Sequence, residues 1–201
     1  MRHKTLSVLL AAIFMVMIMT IGSVQAATKT ISLVSGWNLI NTPIQPTSTA
    51  ITDVLSGISY ASAWSWDAAG SKWCVYLSDG TTQAYADSKG FGVLSTISAG
   101  QGFWVNVNTA ATLSIDGAAP GATDQTLVKG WNLIGSKKDE SKTVSSVLSM
   151  LTSSGVNAVT LWTWNAAEQK WDVAIPSYTA TELATYIGVK GFNPIAAIAS
   201  T

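Results

Sequence analysis

SLVSGWNLI at residues 32–40 and TLVKGWNLI at residues 126–134 are one phrase occurring twice, and that repetition decides how the chain divides. Further along the chain, AWSWDAAGSKW (63–73) aligns with LWTWNAAEQKW (161–171), and Lys-Gly-Phe recurs at 89–91 and 190–192. Self-similarity at this scale is the signature of tandem modules. The offset between copies grows along the chain, which puts short insertions into the loops of the second copy. The expected organisation is a leader over 1–26, a Trp-rich module over 27–116, a Gly/Ala/Pro linker over 117–124, and a second module over 125–201 that lacks its closing strands.

Each copy reads as the same series of elements. Residues 31–40 carry β-formers with an apolar–polar alternation broken at Gly36, which predicts a bent or bulged strand, and copy two repeats it. Ile51, Val54, Leu55 and Ile58 fall at helical spacing, as do Val144, Val147, Leu148 and Leu151. A hairpin follows, with Trp64 and Trp66 on one strand, Trp73 on the next and Asp67 to Ser71 as the turn; Trp162, Trp164 and Trp171 match them in copy two. Copy one then adds Gly102 to Val107 and Thr112 to Ile115 as closing strands, and copy two stops before their counterparts. The fold class this predicts is mainly β with short helices, α+β within each module, in two tandem repeats of which the second is incomplete.

The charged residues limit the chemistry. Arg2, His3 and Lys4 precede an uncharged apolar run from Leu6 to Ile21, and Val24-Gln25-Ala26 suits a signal peptidase, so the leader predicts export with cleavage after Ala26. The rival reading is an uncleaved membrane anchor, since residues 5–27 carry no charge. Beyond the leader there is no His and no Arg, and nine Lys face eleven acidic residues. Nucleic-acid partners need a basic stripe and arginine forks, and His-based triads and zinc sites need histidine. No metal ligand set and no cofactor motif is found: Gly100-Gln101-Gly102 precedes a strand rather than a helix, and Asp139-Glu140 lacks the alternating oxygen ligands of a calcium loop. Carboxylates do not match between the copies (Asp53 faces Ser146, Asp67 faces Asn165), as a duplicated active site would require, so no catalytic residue is assigned and a hydrolase ranks last.

Eight of the nine Trp pair between copies, and the expectation is that they form the core, whereas Asp67 and Asn165 suit a turn. Cys74, the only cysteine, is expected on the outward face of its strand, with Trp73 and Val75 inward. The unpaired Trp104 points away from Phe103, Val105 and Val107, beside Asn106 and Asn108. Those three are the ligand-binding candidates, because an aromatic flanked by amides suits a sugar-stacking surface. The competing reading packs Trp104 under a loop or against the second copy.

GWNLI, a helix carrying Val-Leu, a WSWD hairpin, GFWVNV and TLSIDG together resemble the repeated GWNL modules of secreted and surface proteins of bacteria and archaea. The resemblance covers residues 30–116 fully and 125–198 in part. It implies an extracellular module with no catalytic residues to transfer. The expected function is therefore a non-enzymatic surface-binding module for a glycan or protein ligand, with a structural subunit associating through open strand edges as the alternative. The missing strands predict self-association through module two, with residues 27–116 alone staying monomeric. Two explanations for that gap stand: a longer chain supplies the strands, or a partner does.

Overall fold

The computed structural model describes residues 26–121 and 124–198; the leader up to residue 25 and its cleavage site lie outside the described residues but for Ala26. The protein is mainly β with short helices. β1 (Ala26–Leu33) pairs antiparallel with β8 (Ala111–Ala118), which also pairs with β3 (Gln45–Pro46). A second, five-stranded sheet runs in the order β2 (Gly36–Asn41), β7 (Gly102–Val107), β4 (Tyr60–Asp67), β5 (Lys72–Leu77), β6 (Gly92–Val93). The stretch expected as one bent strand is thus two strands in two sheets. Gly36, at φ +92°, makes the break in a region that side chains other than glycine rarely enter.

One continuous aliphatic core joins the two sheets. Ile31, Leu33, Leu113 and Ile115 enter it from the first, and Ile40, Ala63, Phe103, Val105 and Val107 from the second. α1 (Ile51–Val54) adds Ile51 and Val54, followed by Leu55. In β8 buried residues alternate with exposed ones, the pattern of a strand with one dry face. The same strand corrects the linker boundary, because Gly117 and Ala118 still pair with Ala27 and Ala26.

Copy two builds α3 (Val144–Ser153), β9 (Leu161–Asn165), β10 (Lys170–Ala174), α4 (Ala180–Lys190) and β11 (Asn193–Pro194), with a sheet ordered β11-β10-β9. In both copies a hairpin leads through a helix to a short parallel strand, since α2 (Thr82–Lys89) joins β5 to β6 as α4 joins β10 to β11. The recurring Lys-Gly-Phe is the end of that helix: Gly90 and Gly191 both adopt φ +70°, and Phe91 and Phe192 turn back onto Trp64 and Trp162, at 5.4 and 5.3 Å between ring centres.

Copy two departs from expectation at its first phrase. Residues 126–133 form no strand, and Ile134 makes an isolated bridge to Gln101 of copy one. The reason is the ladder. β2 exists because β7 satisfies it from Gly36↔Val107 to Asn41↔Gly102, and no described residue of copy two supplies a counterpart to β7.

Candidate functional site

The two faces of the five-stranded sheet have different owners. Cross-strand pairing puts Trp64 opposite both Val75 and Trp104, and Trp66 opposite Trp73, while Trp37 lies opposite Asn106. These residues share the face away from the aliphatic core. No Trp belongs to that core, which corrects the expectation that the paired tryptophans form it. Trp37 and Trp73 remain 37% and 36% exposed, and Trp131 64%.

Cys74 is corrected by the same alternation. It shares the core face with Ala63 and Tyr76 and packs against the core, half-buried. Burial pushes its thiol pKa up, and the nearby Asp67 carboxylate adds to the shift. Its backbone neighbour across the parallel ladder is Gly92, where a side chain would collide with the sulfur; in copy two the equivalent pair is Asp172 and Asn193, joined by a 3.1 Å hydrogen bond.

What covers the tryptophan face is copy two. Trp104 sits edge-on to Trp37 at 6.1 Å and to Trp164 and Trp171 at 5.4 Å each. Trp104 therefore packs against the second copy, one of the two placements open from sequence. Asn106 shares its face, half-buried between Trp37 and Ser62, whereas Asn108 lies past the end of β7, with its amide donating to Ser59 Oγ at 2.8 Å. The three candidates do not converge on one point.

The packing leaves a gap. Trp37, Trp64, Trp73 and Trp104 of copy one and Trp164 and Trp171 of copy two line an open cleft of about 340 Å³. No ionisable side chain lines it. Edge-to-face stacking of Trp104 on Trp37, Trp164 and Trp171 holds the rings that line the space. A smaller cavity of about 200 Å³ lies beside Cys74, Ser65 and Gln101, with Asp67 as its one carboxylate. Among the described residues, no three His, Cys, Asp or Glu side chains gather in a group that could hold a metal, and no helix is long and apolar enough to cross a membrane.

Two hydrogen bonds lock the copies around the cleft. Trp66 of copy one donates its indole N–H to the Trp131 carbonyl of copy two, and Trp164, the counterpart of Trp66, donates to the carbonyl of Trp37, the counterpart of Trp131; both are 2.9 Å. The exchange is reciprocal. Trp37 lies on an edge strand, so its spare carbonyl needs a donor from outside the sheet, and Gln169 donates to it as well at 3.1 Å.

The GWN phrase is what presents these carbonyls. Asn38 accepts from Val34 N–H at 3.0 Å and donates to the carbonyls of Val34 and Gly36 at 2.8 and 3.0 Å. Asn132 repeats all three bonds with Val128 and Gly130 at the same distances. Only glycine suits the positive φ of Gly36 and Gly130, and only a short amide can both accept and donate across the turn. Sequence repetition singled out these residues as a turn or core; their role in holding the other copy's tryptophan had no sequence signal, because it depends on how the copies meet.

Against this geometry, comparison with protein-family models, with curated proteins and with solved structures gives no match to the chain.

Proposed function

We propose that the protein is a non-enzymatic binding module of the cell exterior, and that its site is the tryptophan cleft between the two copies. The observation that carries this reading is the lining itself: six indoles from both copies, with no charge among them. Such a cleft suits a neutral ligand with apolar faces, the C–H face of a sugar ring first and an aromatic-bearing segment of a surface protein second. Charged ligands would lose hydration there without gaining a partner. Trp104 is the central ring, touching three other tryptophans, and Asn106 on the same face is the neighbouring amide.

The apolar leader and the resemblance to GWNL modules support placement outside the cell. A second reading, a structural subunit that associates through open strand edges, draws support from β9, which among the described residues has a ladder partner on one side only. Hydrolysis of glycosides takes a pair of carboxyl groups, and Asp67 is the single carboxylate among the residues that line the smaller cavity.

A neutral-glycan array with intrinsic tryptophan fluorescence tests the cleft. Wild type should bind at least one neutral glycan with a saturable change in emission, and Trp104→Ala or Trp171→Ala should weaken it about tenfold or more, the loss of a contact of about 1.4 kcal/mol. Binding unchanged in both variants would remove the cleft from consideration.

A further inference from the structure

The tryptophan cleft differs from an ordinary apolar groove in what it omits. Six indoles line it and no aliphatic side chain does, although leucine or isoleucine would serve a purely apolar ligand as well. An aromatic ring adds what an aliphatic chain lacks, a face at the negative pole of its quadrupole. Trp104, Trp164 and Trp171 stand at the corners of an equal-sided triangle, with 5.4 Å between each pair of ring centres. Their planes are inclined to one another at 66°, 78° and 75°. Planes so inclined cannot all stand edge-on to one direction, so at least one of the three turns part of its face toward a ligand resting on the triangle. A cation held there lies within about 6 Å of three ring centres at once, the range over which an aromatic face attracts it.

The same lining decides which cation. Indole has one N–H and no acceptor, and those of Trp64 and Trp164 are already given to Ser62 Oγ and the Trp37 carbonyl. A lysine-like ammonium would bring three N–H donors to side chains that accept none, and no carboxylate lines the cleft to meet its charge. A trimethylammonium group brings no N–H. Its charge is spread over methyl groups that hold water weakly, so it escapes the desolvation cost that keeps other ions out, and the ring faces are its partner. Trp37 and Trp73 stay part-exposed, which leaves the cleft open for the rest of such a ligand to remain in water. We infer that the cleft takes a quaternary trimethylammonium head, as in choline, by cation–π contact with Trp104, Trp164 and Trp171, a ligand class beside neutral rings. The inference rests on the cleft being the binding site and names a further ligand for it.

Its test titrates the whole chain with choline, with the neutral tert-butyl analogue in which carbon replaces the nitrogen, and with ethanolamine, whose ammonium keeps its N–H donors. The indole N–H resonances report each tryptophan separately. Choline should shift those of Trp104, Trp164 and Trp171 saturably and leave that of Trp131, outside the lining, in place. It should bind at least about fivefold more tightly than either analogue. Because all three ligands meet the same wild-type fold, the comparison does not depend on a variant. Trp171→Leu keeps an apolar wall and removes one ring, and it should weaken choline more than the tert-butyl analogue. Vesicles separate the sources of the group. Co-sedimentation with phosphatidylcholine but not phosphatidylglycerol vesicles assigns a lipid headgroup, and binding of free choline alone assigns a solute. Equal binding of choline and its tert-butyl analogue, or of choline and ethanolamine, overturns the inference and keeps the cleft as a site. No response to millimolar choline overturns it too: neutral glycans that still bind then preserve the cleft reading, and a cleft that answers to neither loses both.

Discussion

Cys74 and its neighbours illustrate how one residue's setting follows from the face it occupies. The thiol faces the aliphatic core, Gly92 closes over the sulfur, and burial with the nearby Asp67 raises its pKa, so little thiolate is present near neutrality. Native protein should therefore react slowly with a thiol reagent at neutral pH and rapidly in denaturant, the rate rising with pH as the thiolate forms. Native labelling as fast as unfolded labelling would place the sulfur on the outer surface after all. Strand alternation was legible in the sequence here; which face is dry was not. Large aromatics bury the most area, which makes Trp read as core, yet the small and aliphatic residues on the other face, Ala63 and Val105 among them, seal the core. Asp67 and Asn165, by contrast, were legible as turn residues from chemistry alone: each accepts a backbone N–H three residues on, from Gly70 at 3.0 Å and Glu168 at 3.1 Å.

At the level of elements, local signals and partner-dependent ones separate cleanly. Hairpins and their turns stand where the repeats put them, and the closing strands β7 and β8 follow from alternation within copy one. The GWNLI phrase forms a strand in copy one and none in copy two, because a strand needs a neighbour that lies elsewhere in the chain. α2 and α4 carry no fully apolar stripe, so hydrophobic periodicity does not mark them. Their termini held the signal: Gly90 and Gly191 follow the last turns, and Thr179 with Glu182 forms a capping box ahead of α4. Glu182 accepts from the Thr179 N–H and hydroxyl at 2.7 and 2.8 Å, and those bonds, backbone first, hold its carboxyl below the ordinary value of 4.5. A depressed carboxyl stabilises the helix above its unfolded pKa and stops doing so as pH falls through the lower folded value, so the box is intact at neutral pH and opens in acid. Thr179→Ala should cost about 1 kcal/mol in urea unfolding at neutral pH. The same variant should cost clearly less near pH 2, where Glu182 no longer accepts as a carboxylate, and an equal loss at both would mean that the bond from the Thr179 hydroxyl to the Glu182 carboxylate contributes nothing.

Across the whole molecule, the two copies meet through the same residues used in opposite directions. Trp66 donates to Trp131 and Trp164 donates to Trp37, so exchanging the copies exchanges the bonds. That relation is the local mark of an approximate two-fold axis, whose interfaces are self-complementary and close on themselves. Its consequence is a prediction opposite to the sequence expectation that the first module alone stays monomeric. Residues 26–118 retain both sheets and every member of the aliphatic core, so they are the part best able to fold alone. Removing copy two, however, bares Trp104 and Trp66 and leaves the Trp37 carbonyl without its two donors. An exposed aromatic patch rimmed by unfilled hydrogen-bonding groups is a site for association, and a second first module carries the complementary set. Residues 26–118 should accordingly dimerise, with Trp66 of each protomer donating to Trp37 of the other, while Trp66→Phe removes two hydrogen bonds per dimer by symmetry. At about 0.5–1.5 kcal/mol for each bond, that substitution should raise the dimer dissociation constant by roughly fivefold or more. Sedimentation equilibrium of wild type and variant decides between the outcomes: a monomer across the concentration range would mean that the tryptophan face is stable bare, and that the copies are held together by their covalent connection.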